Sequence, residues 1–392
     1  MILKYFKKGK KISNEVKVCN SCIMDTTASN IKFDVNGRCS YCENYLKNIK
    51  SYLENNLLKS EVWFKNLKDK LKNESKQNKF NYDCIIGLSG GVDSSYLVYY
   101  TVKHLKLNPL IFHVDTGWNN KIAVSNIEKI IEKYKLDLHT EVIDWNELKD
   151  LTLSFLMAQV PTIDAIQDHA IWAALYNFSK KNNIKNILTG GNLYTESVRE
   201  PLEWAYHATD MTQINDIHNK FGKLKLKKFP TCDILIYQLL YKYLYNIKIH
   251  QPLNFIKYSK SNAIYELKNE FGWSDYGGKH HESNFTKFIE SYWMVNKFGY
   301  DKRKAYLSSL IHTNQITREE ALEEIKKKSY NVDELQKDFN YIASKLGISY
   351  EELEHIFNQK NKSFKDYKSK NSFLKLAITF KRFLGTEKRL FI

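Results

Sequence analysis

"DCIIGLSGGVDSSYLV", residues 83–98, decides how the rest of the chain is read. Cys84, Ile85 and Ile86 make a short apolar run, small residues follow, and from about Asp93 to residue 106 the pattern turns helical. A strand that ends in such a turn leaves the amides of the helix start exposed, and these supply donors and positive potential to an anion. Gly90 and Gly91 let the backbone approach that anion closely, while Ser89, Ser94 and Ser95 add hydroxyl donors. The turn is built for phosphate. It is neither a Walker loop, since G-x4-G-K-S/T is absent, nor the dinucleotide fingerprint G-x-G-x-x-G. Asp93 would repel a bare anion there, and makes sense where Mg2+ neutralises the pair. A plain strand-to-helix turn needs a capping Asp or Ser, but not two adjacent glycines with three hydroxyls.

Downstream, "PLIFHV" (109–114) and "LHTEVI" (138–143) read as strands, and 120–135 and 145–157 as helices. A longer helix is expected over 162–182, then the strand "IKNILT" (184–189) with its turn "GGN", and a final strand within "NIKIHQPLNFI" (246–256). The alternation predicts an α/β fold, a parallel sheet covered by helices on both faces, with ligands bound beyond the carboxyl ends of the strands. Residues 51–80 read as a helical linker, 195–245 as a helical insertion in a domain spanning 81–275, and 276–392 as a helical C-terminal cap or substrate region. Thr317 with Glu320 and Ser349 with Glu352 fit the S/T-x-x-E capping box, and Asn331 with Glu334 has the same spacing.

With 392 residues, 43% of them hydrophobic, the chain can bury a substantial core in two or three domains. The net charge of +16 invites a nucleic-acid partner, but only six of the 60 basic residues are arginine. Base and phosphate recognition leans on the arginine fork, so a solvated lysine-rich surface explains the charge better. No signal peptide and no apolar span of membrane length is visible, which predicts a cytoplasmic protein. In a reducing compartment six cysteines are not a disulfide framework. Cys19, Cys22, Cys39 and Cys42 instead form C-x2-C-x16-C-x2-C within residues 1–50, the spacing of a closed four-thiolate zinc knuckle, with an iron–sulfur cluster as the alternative.

Ser89-Gly90-Gly91-Val92-Asp93-Ser94 resembles the S-G-G-x-D-S loop of the ATP pyrophosphatases, the PP-loop enzymes. These cleave ATP between the α- and β-phosphates and adenylylate a carbonyl oxygen. "HVDTGW" (113–118) resembles their adenosine-binding strand end, and "LTGGNLYTES" (188–197) their later glycine turn. The resemblance implies that Leu88, Ser89, Gly90, Gly91, Asp93, Ser94, Ser95, His113, Asp115, Thr116, Gly190, Gly191, Asn192 and Glu196 bind ATP with Mg2+.

The order of zinc knuckle, PP-loop and "YGGKHHESNFTKFIESYWMVNKFGYDKRKAYLSSLI" (276–311) resembles the N-acetyl sugar amidotransferases, over about residues 15–330. Those enzymes convert the acetamido group of a bacterial surface-polysaccharide or flagellar sugar into an acetamidino group. The resemblance implies catalytic roles for Asp93, Lys279, His281 and Glu282, sugar or anion binding by His280 and Arg303, and a separate glutaminase subunit that supplies ammonia. The substrate it implies is a nucleotide-linked N-acetyl sugar, and assembly into an oligomer stays open. Without the resemblance, "KHHE" (279–282) reads as a helix start with surface charges, whose two histidines point about 100° apart. Two rivals stand beside this reading. One is a tRNA-modifying PP-loop enzyme, a thiolase or lysidine-type synthetase; a thiolase would need a reactive cysteine, or cluster-binding cysteines, near the ATP site, and only Cys84 and Cys232 remain. The other is a non-catalytic nucleotide-binding module, which has no use for Asp93 in the turn.

Overall fold

The computed structural model describes residues 16–77, 80–234, 241 and 244–383. Its centre is a sheet of five parallel strands: β1 (Cys84–Gly87), β2 (Pro109–Asp115), β3 (Leu138–Val142), β4 (Asn186–Leu188) and β5 (Lys248–His250), in the order β3-β2-β1-β4-β5. From β1 the chain first steps outward through β2 to β3, then returns to the other side of β1 for β4 and β5. The reversal opens a crevice beyond the carboxyl ends of β1 and β4, where a sheet of this kind binds its ligand. The loop after β1 and the glycine turn after β4 therefore face each other.

Because successive side chains alternate across a strand, Ile85 joins the core on one face and Cys84 and Ile86 the core on the other. Both faces are covered, as a parallel sheet requires. One face carries the helices Val92–Lys103, Lys121–Tyr134 and Lys260–Phe271; the other carries Trp145–Met157 and Ala165–Lys181. Residues 51–80, expected as a linker, are helical over Lys50–Leu58 and Ser60–Gln77, but they belong to the core. Leu53, Phe64, Leu67 and Leu71 are buried, and Trp63 stacks on Phe255 with ring centroids 3.7 Å apart. The lysine-rich outer face hid this packing in the sequence.

The insertion expected to be helical over 195–245 is mostly not so. Met211–Phe221 is a helix, whereas 192–210 and 222–233 run as turns and irregular chain, and 235–240 and 242–243 lie outside the described residues. The irregular part finds its backbone partners in carboxylates: Asp150 accepts from the amides of Lys223 and Leu224, and Glu147 from those of Lys227, Lys228 and Phe229.

The C-terminal helical segments Asn284–Phe288, Ile289–Phe298, Val332–Leu346 and Tyr350–Asn358 pack Phe285, Phe288, Trp293, Phe339 and Phe357 into the same core as β2 and the Ala165–Lys181 helix, while Arg303–His312 and Arg318–Lys326 meet in a smaller cluster with Ile23. Thr317–Glu320 and Ser349–Glu352 both close as capping boxes, while Asn331 caps through the amide of Asp333 alone. Among the described residues, no helix is long and apolar enough to cross a membrane.

Candidate functional site

Two glycine turns meet in the crevice. Gly90, at φ +83°, takes a left-handed conformation, and its carbonyl accepts from the Trp273 indole at 3.2 Å. This holds the loop so that Ser89, Gly91, Asp93 and Ser94 line a cavity of about 190 Å3. Ser94 Oγ lies 3.2 Å from Ser89 Oγ, and the Gly91 amide donates to Ser89 Oγ at 3.3 Å. From β4, Gly190 presses backbone to backbone on this loop: a Cβ there would stand 2.7 Å from the Asp93 carbonyl carbon. Gly190, Gly191 and Glu196 complete that side of the cavity.

The opposite wall comes from residues 275–283, which cross the mouth of the crevice. The Asn120 amide donates to the Glu282 carbonyl at 2.7 Å, the Asn284 amide to the Trp118 carbonyl at 2.8 Å, and Asn119 bridges Ser283. "KHHE" is therefore not a helix start. His280 sits at φ +62°, uncommon for a residue with a Cβ, and the true cap is Ser283, whose hydroxyl accepts from the Thr286 amide.

Lys279 Nζ binds Glu196 at 2.8 Å and stands 5.2 Å from the centre of the Tyr306 ring. Burial disfavours the Lys279 charge, but Glu196 and Asp93 outweigh it and raise its pKa, and Lys279 in turn holds Glu196 below the usual carboxylate range. Burial raises the pKa of Asp93 against the pull of Lys279, and the Tyr258 hydroxyl donates to Asp93 Oδ1. Lys260, also on this cavity, is lowered by burial.

Beside the loop lies a second cavity of about 340 Å3, largely apolar, lined by Leu88, Phe112, Val114, Ile171 and Met294 together with His113 and Thr116. His113 Nδ1 donates to the Leu88 carbonyl at 2.9 Å, which leaves Nε2 to accept from the Asn119 amide at 3.0 Å. Thr116 donates to Gln167 at 2.8 Å. A third cavity, about 800 Å3, opens past Trp172, Tyr206, Glu196, Lys279 and Tyr306. His280 borders all three.

Where the second and third cavities join, charges gather. Asp164 and Asp168, one turn apart at the start of the Ala165–Lys181 helix, face Glu290 and Lys302. Lys302 Nζ binds Glu290 at 2.5 Å and Glu200 at 3.0 Å. Burial alone would raise Glu290, but Lys302 and His280 hold it low; burial works against the His280 charge, yet Glu290, 3.5 Å from Nδ1, lifts its pKa to about 9. Asp164 is pushed up to about 7 by burial, then by the Asp168 and Glu290 charges. The sequence reading missed this cluster, including Lys302. Two carboxylates spaced i, i+4 at a helix start beyond the sheet's carboxyl edge were the available signal.

Away from the crevice, Cys19, Cys22, Cys39 and Cys42 place their sulfurs within 4.8 Å of one another, with separations of 3.6 Å (Cys22–Cys39), 3.7 Å (Cys39–Cys42) and 3.8 Å (Cys19–Cys42). Thiolates about 2.3 Å from one tetrahedral ion stand about 3.8 Å apart, so the donor set fits a single metal ion rather than a multi-iron cluster that spreads its ligands over several irons. His312 Nε2 reaches Cys42 Sγ at 3.2 Å, and burial pushes the His312 pKa down to about 4.

Residues 282–381 match the family described as LPS biosynthesis protein WbpG-like, C-terminal domain. The match spans about a quarter of the chain, all of it on the C-terminal side of the sheet. No curated protein matches it. Among solved structures, it is similar to the U34-tRNA thiolase NcsA from Methanococcus maripaludis, solved with its 4Fe-4S cluster, at 14% identity and a TM-score of 0.31, covering 65% of this chain and 80% of that one.

The matched residues open on Glu282, whose Oε2 is buried at the junction of the first two cavities without a hydrogen-bond partner among the described residues, and they also bring Glu290, Lys302 and Tyr306. Several expected site residues stand elsewhere. Ser95 is fully buried off the cavities; Asn192 holds the β4 turn by accepting from the Thr195 amide at 3.0 Å; Asp115 anchors the Gly117 amide at 2.7 Å. They shape the loops without lining the cavities. His281 lies against Gly278 and borders only the third cavity, its pKa lowered by burial. Arg303 borders the third cavity, where it is held by Asp301 at 2.7 Å and by the carbonyls of Glu324 and Lys327 at 3.3 and 3.1 Å, closing the end of the Arg318–Lys326 helix.

Gly190→Ala tests the meeting of the two turns. Its Cβ would lie 2.7 and 2.8 Å from backbone atoms of Asp93 and Ser94, which must move apart at a cost of about 1–3 kcal/mol. Calorimetric titration with a non-cleavable ATP analogue is expected to show affinity lowered about ten- to a hundredfold. Unchanged affinity in a folded variant would mean that the nucleotide does not use this contact.

Proposed function

We propose that this protein is the synthetase subunit of an ATP-dependent amidotransferase that turns the acetamido group of an N-acetyl sugar into an acetamidino group, in bacterial surface-polysaccharide or flagellin glycan biosynthesis. The carrying observation is that the phosphate-shaped cavity, the apolar slot and the larger chamber meet at His280. The slot suits adenine, the glycine turns suit the β- and γ-phosphates, and the chamber, with Trp172 and Tyr206, suits a sugar. The α-phosphorus then lies near the junction. WbpG-like relatives act in lipopolysaccharide biosynthesis by their description, which supports a sugar acceptor.

An acetamide carbonyl is a poor electrophile until its oxygen becomes a leaving group. The amide oxygen attacks the α-phosphorus, the α–β bond breaks, and pyrophosphate leaves. Ammonia adds to the resulting O-adenylyl imidate, AMP departs with the former carbonyl oxygen, and the amidine remains. The chain's part is electrostatic: the amides at the start of Val92–Lys103, Lys279 and Lys260 stabilise the departing pyrophosphate. Mg2+ would be held by Asp93 and Glu196 and would neutralise phosphate charge. Zinc is the metal proposed for the four thiolates. A separate glutaminase subunit is the proposed ammonia source, a nucleotide-linked N-acetyl sugar the proposed substrate, and the cytoplasm the proposed setting. The thiolase alternative lacks its nucleophile: Cys84 and Cys232 are buried, line none of the three cavities, and have thiol pKa values raised by burial, to about 12 for Cys232.

Purified protein given Mg-ATP, an ammonium salt and a panel of UDP-, CMP- and GDP-linked N-acetyl sugars is expected to release AMP and pyrophosphate with one sugar, whose mass falls by about one unit as O is exchanged for NH. Asp93→Ala should abolish this. Pyrophosphate release stimulated by bulk tRNA, with every sugar inert, would overturn the assignment.

Asp164 is the group we assign to take the proton from the incoming amine. With a pKa of about 7 it is protonated below neutrality and ionised above it. The rate per unit of free ammonia is therefore expected to rise through pH 7, and Asp164→Asn to lose that rise together with about a hundredfold in rate at pH 8. A variant that keeps the rise would remove Asp164 from this role.

A further inference from the structure

The four-thiolate site and the proposed phosphate cavity are joined by one partly buried chain of contacts. His312 Nε2 meets Cys42 Sγ at 3.2 Å, and His312 Nδ1 meets Ser197 Oγ at 3.1 Å. If Nε2–H donates to the sulfur, Nδ1 accepts from the Ser197 hydroxyl. Ser197 directly follows Glu196, the partner of Lys279 at 2.8 Å. The helix Arg303–His312 and the turn after it clasp the same loop at three more points. Ser309 Oγ accepts from the Val198 amide at 2.9 Å, and Thr313 and Gln315 donate to the Tyr194 carbonyl at 2.9 and 3.1 Å. Gln315 Oε1 also accepts from the amide of Lys260, on the phosphate cavity, at 2.8 Å.

That helix is fastened to the thiolate knuckle with equal care. Ser308 Oγ accepts from the Ile23 amide at 3.3 Å, the Tyr45 ring stacks on His312 at 4.5 Å, and Arg318 donates to the carbonyls of Cys19 and Cys22 at 2.8 and 3.1 Å. Each of these contacts depends on where the cysteines lie; backbone amides of Ser21 and Cys39 donate to Cys19 Sγ, and a metal would in addition bond all four sulfurs directly. Groups bonded to metal ligands orient them and tune the metal's affinity; here the same groups also orient the loop that carries Glu196.

We propose that the metal at Cys19, Cys22, Cys39 and Cys42 and the nucleotide at the glycine turns are thermodynamically coupled through His312 and Ser197. The metal then holds Glu196 in place for Lys279, and both residues serve as positioning residues. This rests on the proposed nucleotide site. Coupling is reciprocal: whatever the metal does for nucleotide affinity, the nucleotide must do for metal affinity, typically by about 5- to 150-fold.

Release of metal from the intact protein to a chromophoric chelator, followed with and without a saturating non-cleavable ATP analogue, reads the coupling without any turnover. Slower release with nucleotide, by at least about fivefold, is expected in the unaltered protein. Ser197→Ala, which leaves all four thiolates and the Cys42–His312 contact in place, should keep one metal per chain and its nucleotide-free release rate, yet lose most of the slowing. Nucleotide that binds, by calorimetry, but leaves release unchanged overturns the coupling alone, as does a Ser197→Ala protein that retains all of it. No nucleotide binding at all would overturn the functional assignment as well. Should the variant fail to fold, the release measurement on the unaltered protein still decides.

Discussion

The close contact between Gly190 and the Asp93–Ser94 backbone is the constraint on which the site depends. Two turns from different strands meet there with no room for a side chain, and only the reversal of strand order around β1 brings them together. Once they meet, amides, hydroxyls and two glycines converge on a cavity of about 190 Å3, the one proposed for the phosphates. The apolar slot on one side and the chamber on the other take their positions from it.

Around this point the protein accepts an electrostatic cost. Lys302 with Glu200 and Glu290 is largely withdrawn from water, as is Lys279 though not its partner Glu196, and desolvation offsets much of what such pairs gain. Replacing them with apolar side chains would fill the space as well. Their retention at the junction of three cavities is consistent with a site that must meet moving charge: pyrophosphate leaving on one side and an amine losing a proton on the other. Asp164, poised near neutrality by burial and then by neighbouring carboxylates, fits the second task, whereas the low pKa of Glu290 fits it only for holding cations.

Much of this was legible in the sequence where local pattern and tertiary role agree. The loop Ser89–Ser94, the turn Gly190–Gly191 and the four cysteines announce themselves by spacing, because their chemistry needs adjacent residues. The parallel sheet followed from the alternation of apolar runs with amphipathic stretches. What stayed hidden is what only packing decides. The helices over 50–77 present lysines outward and so read as a linker, although Leu71 is fully buried. Arg303 was singled out as an anion ligand, but that it also holds Asp301 and helix-end carbonyls at the wall of the third cavity could not be read from the sequence. Asp164 and Asp168 lay inside a helical pattern and drew no attention, and Lys302 is separated from Glu200 by about a hundred residues of chain that only the fold closes up.

The metal knuckle is likewise more than an N-terminal attachment. It braces the Arg303–His312 helix, which braces the Glu196 loop, so residues far apart in the chain meet around one ion pair. The central claim remains the adenylylation of an amide oxygen, and isotope transfer tests it most directly. An N-acetyl sugar substrate carrying oxygen-18 in its acetamido carbonyl is turned over with Mg-ATP and ammonia, and the products are examined by mass spectrometry. The account predicts oxygen-18 in the phosphate of AMP, one atom for each amidine formed. Label left in the sugar or released into water, with AMP unlabelled, would contradict it.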